Sequence, residues 1–401
     1  MEQSPWTGPR CPALSTKAVP HCGRRAGSEH RHTMRNTAIA SREGGCPEVE
    51  GGSRPRSSAA AAAEDTAFCI AVLPRVSRTF ALSIEALPGT LRAAVRVAYL
   101  LCRVVDSIED APGLGRAQRN GLFNVFDSVL DDDQAEVTEL EVGCRRAAVG
   151  GTSADGELCR GAGAVVRAFR ALPEAQREAT RAPVLEMSAG MRAYAARGAV
   201  LRLADLEDLE RYCYFVAGTV GNLLTGLFEQ TMPGLPDQNR FALRDRAVSF
   251  GLGLQMVNVV KDVTEDFTER GACFLPLALA REHGLDLERL LDPEMRESGL
   301  AVIRAVCKRA RAHLGRAEEY VSLWPAAGEG GEAGRAIRLF CAVPLALALA
   351  TLRLVEEGES TLRRGAEPKV SRRAVAGILA EASLASASDQ ALAALLGRAR
   401  G

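Results

Sequence analysis

The chain has 401 residues, 47% of them hydrophobic, with 50 Lys and Arg balanced by 50 Asp and Glu. That apolar content suffices for a large core, and a formal net charge of zero removes any bulk-charge argument for nucleic acid or an anionic membrane surface as partner. Eleven Cys with no CxxC pair, and five His of which three (His21, His30, His32) lie near the N-terminus, argue against a disulfide scaffold, His catalysis or a zinc site in the main body.

Residues 1–62 are rich in Gly, Pro, Ser, Arg and Ala, and they read as a disordered extension. They hold no apolar run of the secretory kind. From 63 to 401 the patterning predicts a single all-α domain, because Ala, Leu, Arg and Glu dominate and β-branched alternation is scarce. Ser77-Arg78-Thr79-Phe80 falls in a short segment before Pro88. A helix is predicted over 90–110, stopped by Ala111-Pro112-Gly113. Further helices are predicted over 116–130, 157–171 and 174–196.

The stretch 205–228 is predicted helical although it carries Gly218, Gly221 and Gly226, each costing ~1 kcal/mol relative to Ala. Such glycines serve close approach of another helix or of a ligand chain. After Pro233 and Pro236 a long helix runs through Gln255–Asp266 and ends at Arg270-Gly271. Helices over 293–323 and 335–356, a basic stretch over 363–373 and final helices complete the chain. No stretch reaches the ~18–20 apolar residues of a spanning helix; 213–228 and 339–352 read as buried core.

Two motifs carry the chemistry. YLLCRVVDSIED (Tyr99–Asp110) and QMVNVVKDVTED (Gln255–Asp266) both end in Asp, two residues, Glu, Asp. On a helix, positions i, i+3 and i+4 share a face. Asp106, Glu109 and Asp110 therefore point one way, as do Asp262, Glu265 and Asp266, with Asn258 one turn earlier. The bland alternative for either motif is a solvated helix face. Apolar flanks (Val104, Val105, Ile108; Val257, Val259, Val260, Val263) make these helices half buried, and unneutralised carboxylates there invite a hard cation. Mg²⁺ uses one or two protein carboxylates and completes its shell with water and phosphate oxygens, so the paired clusters suggest a site for polyphosphorylated ligands.

With these motifs in order, SRTF (Ser77–Phe80), YCYFVAGTVG (Tyr212–Gly221), and FCAVP with ALATL (Phe340–Leu352), the chain resembles the squalene and phytoene synthase family over nearly all of residues 64–370, closer to its squalene-forming branch. The resemblance implies an all-α isoprenoid-synthase helical bundle around a central cavity. It implies Mg²⁺ held by Asp106, Glu109 and Asp110 on one wall and by Asn258, Asp262 and Asp266 on the other, with Glu265 nearby. It implies that Arg78 and Arg103 contact diphosphate or the phosphate of NADPH, that Ser77 and Tyr99 line the diphosphate site, and that Tyr212 accepts a proton or stabilises a cation. Lys261 stands where the family usually has Arg, and Lys369 lies in a segment that loosely matches its cofactor-binding stretch.

The implied reaction is head-to-head (1′-1) condensation of two farnesyl diphosphates through presqualene diphosphate, then reduction by NADPH to squalene. The competing readings are a phytoene or dehydrosqualene synthase without the reduction and, from another class, a silent helical Mg²⁺-binding scaffold. No nucleic-acid partner and no membrane span are expected. A cytoplasmic protein is expected, with room for peripheral membrane contact at product release.

Overall fold

The computed structural model describes residues 58–198, 201–326, 331–358, 360–366 and 368–401, with the side chains of Ser58, Arg78 and Thr79 outside that set. Residues 1–57 of the expected extension also lie outside it, and residues 58–62 open the first helix.

The described residues form helices and connecting turns, with no strand among them. In chain order the helices are α1 (Ser58–Val76), α2 (Arg78–Glu85), α3 (Gly89–Glu109), α4 (Arg116–Asp131), α5 (Thr138–Arg146), α6 (Ala154–Arg160), α7 (Ala162–Arg170), α8 (Glu174–Ala195), α9 (Leu206–Cys213) and α10 (Thr219–Thr231). Then come α11 (Asp237–Lys261), the single turn α12 (Val263–Glu265), α13 (Leu277–Glu282), α14 (Arg296–Leu323), α15 (Gly331–Glu357), α16 (Arg372–Ala385) and α17 (Asp389–Arg400). Two π turns interrupt this run, at Tyr214–Gly218 and at Asp266–Arg270.

Helix α3 follows from its sequence. Leu91, Val95, Ala98, Leu101, Val105 and Ile108 recur every three or four residues and are all buried. The helix predicted over 157–171 is instead two, α6 and α7, broken at Gly161. A Cβ there would meet the Phe68 ring at 2.3 Å, so α1 packs closely on the chain at the break and leaves room only for Gly.

Helix α11 packs chiefly on α14, and both meet α15. Helix α15 is buried on nearly every side, as an all-round apolar helix should be. It corrects the expectation that no stretch qualifies as a span: among the described residues it is the one helix long and apolar enough to cross a membrane, although 72% of its apolar window is buried inside the protein. Arg338 of α15 is wholly buried; it donates to the Trp324 carbonyl at 2.8 Å and to Asp389 of α17 at 2.6 Å, tying three segments together.

Candidate active site

The first acidic wall is the end of α3. Asp106 and Glu109 lie on its last turn, and Asp110 caps it in helical geometry, its N–H donating to the Asp106 carbonyl at 2.9 Å. The three carboxylates thus share a face. One turn back, Arg103 donates from Nε and Nη2 to both oxygens of Asp155 on α6, at 2.8 and 3.0 Å, and from Nη1 to Asp106. Another turn back, Tyr99 hydrogen-bonds the Ser77 side chain, and its ring sits 5.7 Å from that of Phe80. Ser77 caps α2, its Oγ accepting from the Phe80 N–H at 3.2 Å. Ser77, Tyr99, Arg103 and Asp106 therefore run in one line.

The second wall departs from the expected continuous helix. Helix α11 stops at Lys261, Asp262 leaves helical geometry at φ −93° and ψ 6°, and after the single turn of α12 the chain widens into a π turn closed by Gly271 at φ +62°. Only a residue tolerant of left-handed backbone ends the turn there without strain. The facing survives because i→i+4 bonds bridge the break. The Asp262 N–H donates to the Asn258 carbonyl at 2.9 Å, and the Asp266 N–H to the Asp262 carbonyl at 2.8 Å. Asn258, Asp262 and Asp266 thus stack on successive turns. Lys261 pairs with Asp262 at 2.9 Å.

The walls meet. Arg270 lies between Asp110 and Asp266, at 3.4 and 3.6 Å. Burial, and then Asp110, pushes the Asp106 carboxyl up to about 6. Burial, with Asp262, Asp110 and Glu265 outweighing Arg270, does the same for Asp266. Burial, then Asp110 and Asp106, also raises the Glu109 carboxyl well above its ordinary value. Tyr212, buried at the end of α9, stacks on Phe274 at 5.2 Å and meets the Tyr194 ring edge-on at 5.2 Å. Burial, then Glu109, Asp110 and Asp106, raises its phenol well above the ordinary value, which also places it beside the first wall.

No three His, Cys, Asp or Glu side chains among the described residues converge into a ready-made metal cage. The donor chemistry nonetheless fits Mg²⁺, which needs only one or two carboxylates from each wall when phosphate oxygens complete the shell. The expected NADPH set fits less well. Arg103 and Lys261 are both engaged by carboxylates, Lys369 lies exposed before α16, and the Arg78 side chain is outside the described residues. Surface hollows of about 230 Å³, one beside Asn124 and Glu139 and one beside Leu290 and Arg296, have no wall residue in their lining.

Sequence reasoning misses Arg270 as a site residue, along with Asp155 and Phe274. The helix-ending Arg-Gly and the Cys-Phe-Leu-Pro that follows mark their neighbourhood, but no local spacing says what they face.

An all-α bundle bringing two carboxylate-rich walls together is the architecture of a prenyl-transferring isoprenoid synthase. The squalene/phytoene synthase model matches residues 73–374, and the chain belongs to that family. Squalene synthase 8 of Panax ginseng is 28% identical over 312 residues, 76% of this chain and 73% of that one. The squalene synthase of Schizosaccharomyces pombe is 28% identical over 292 residues, 72% of this chain and 59% of that one. A solved complex of TcSQS with the ligand BPH1237 is 26% identical with a TM-score of 0.69, covering 84% of this chain and 90% of that one. A dehydrosqualene synthase structure, at 21% identity and TM-score 0.53 over 80% of this chain and 96% of that one, shares the fold.

Proposed function

We propose that this enzyme condenses two farnesyl diphosphates head to head, with reduction by NADPH to squalene as the final step. One observation carries the condensation: two carboxylate walls close enough to share Arg270, in a chain of this family. The squalene synthase relatives support the reduction.

Mg²⁺ bound between the walls would neutralise charge developing on the diphosphate leaving group. Asp106, Glu109 and Asp110 would hold it from one side and Asn258, Asp262 and Asp266 from the other, with Glu265 adjacent. Arg103, locked by Asp155, presents a fixed positive charge to the diphosphate, beside Ser77 and Tyr99. The raised phenol of Tyr212 stays protonated near neutrality, so it stabilises an allylic cation with its ring and O–H rather than as a phenolate. The proton lost on cyclopropane closure then goes to released diphosphate. The aromatic shelf of Tyr194, Tyr212 and Phe274 keeps water from the cation.

Purified protein incubated with farnesyl diphosphate and Mg²⁺ is expected to yield squalene with NADPH, and presqualene diphosphate or water-captured alcohols without it, read by gas chromatography with mass detection. The same unreduced product in both incubations would favour the phytoene-type alternative. No diphosphate release at all would reject the condensation.

Asp155→Asn tests the placement of Arg103. It removes the charge and one of the two acceptor oxygens that hold Arg103, leaving the contact to Asp106, and so loosens the guanidinium; the KM for farnesyl diphosphate is expected to rise about tenfold. An unchanged KM would show that Arg103 does not meet the diphosphate.

A further inference from the structure

Arg270 joins the two acidic walls. Its Nη1 lies 3.4 Å from an Asp110 oxygen and its Nε 3.6 Å from Asp266. Both separations are long for charge-assisted hydrogen bonds, so attraction rather than fork geometry holds the guanidinium, and a competing cation can displace it. Its place is fixed by the backbone: the π turn that starts at Asp266 ends at Arg270, one residue before the left-handed Gly271. The neighbouring cations are differently bound, Arg103 by the two-pronged pair with Asp155 and Lys261 by the adjacent Asp262.

We propose that Arg270 is the chain's own placeholder for the divalent cation. Without metal it holds Asp110 to Asp266 across the two walls. When Mg²⁺ takes those carboxylates Arg270 is released, and its charge then faces the incoming diphosphate. This rests on the acidic walls being the Mg²⁺ site.

Two opposite consequences separate a placeholder from a plain structural ion pair. Neutralising Arg270 removes a positive charge that competes with Mg²⁺, so Mg²⁺ alone binds tighter. It also removes a contact to diphosphate, so inorganic diphosphate at saturating Mg²⁺ binds more weakly. Isothermal calorimetry on the full chain measures both, with the wild type, Arg270→Gln and Arg270→Ala compared. The exposed guanidinium makes loss of fold in both variants unexpected, and thermal midpoints check it.

Each variant is expected to bind Mg²⁺ about tenfold tighter than the wild type and diphosphate about tenfold more weakly, as for the loss of one partly exposed charge a few ångströms away. Mg²⁺ affinity equal to or weaker than wild type in the folded variants would overturn the placeholder role while leaving the metal site standing. Absence of Mg²⁺ binding to the wild type, with or without diphosphate, would overturn the metal site and the placeholder together.

Discussion

Replacing Asp106 or Asp262 with Asn is expected to lower diphosphate release from farnesyl diphosphate by about 10³-fold or more, the scale on which a single preorganised electrostatic partner contributes. Each carboxylate sits on its own wall, and neither wall can substitute for the other. The protein should stay folded. In Asp106→Asn, Arg103 keeps both prongs on Asp155, so no partly buried cation is stranded. The sign of the stability effect follows from the carboxyl itself. Folding raises Asp106 to about 6, so its ionised form near pH 7 opposes folding, and the neutral amide relieves that opposition. The metal-free thermal midpoint of Asp106→Asn should equal or exceed that of the wild type. Diphosphate release is measured across a Mg²⁺ titration, and near-normal rates from either variant would overturn the metal assignment.

The first acidic wall is legible in the sequence because its geometry is local. Three carboxylates at i, i+3 and i+4 on a helix with a clean apolar stripe share a face whatever surrounds them. The second wall is legible only in part. The same spacing marks the residues, but the stop at Lys261, the displaced Asp262 and the π turn are not visible in it. Arg270 shows the limit most clearly: along the chain it reads as the end of a helix, and in space it is the charge shared by both walls. Contacts across helices are non-local, so spacing cannot disclose them. Gly161 repeats the lesson in the fold, where one predicted helix is two and a ring from α1 packs against the break.

The glycines near Tyr212 leave a choice at the level of sequence, between room for a helix and room for a ligand, and the packing decides it for Gly221. A Cβ on Gly221 of α10 would lie 2.0 Å from the Ala247 carbonyl oxygen of α11, and one on Gly251 of α11 would lie 2.1 Å from the Ala217 carbonyl oxygen in the π turn. Gly221 thus receives the backbone of α11, and Gly251 the backbone of the π turn that leads into α10. Gly221→Ala would gain ~1 kcal/mol of helix propensity. Against that, the obstruction is main chain, which cannot turn aside as a side chain can, and overpacking of this kind costs ~1–3 kcal/mol or more. With the backbones forced apart, a net loss of about 2 kcal/mol and a midpoint drop of about 4 °C or more are expected. Activity should fall with it, because Asn258 lies two turns beyond Gly251 on the helix being displaced. Gly226→Ala is the control: its Cβ would sit 3.5 Å from the Ala179 methyl, an ordinary contact, so stability should hold or rise by up to ~1 kcal/mol. Thermal and urea unfolding of the two variants decide the matter, and a Gly221→Ala protein as stable as the wild type would show that α10 and α11 do not meet through their backbones.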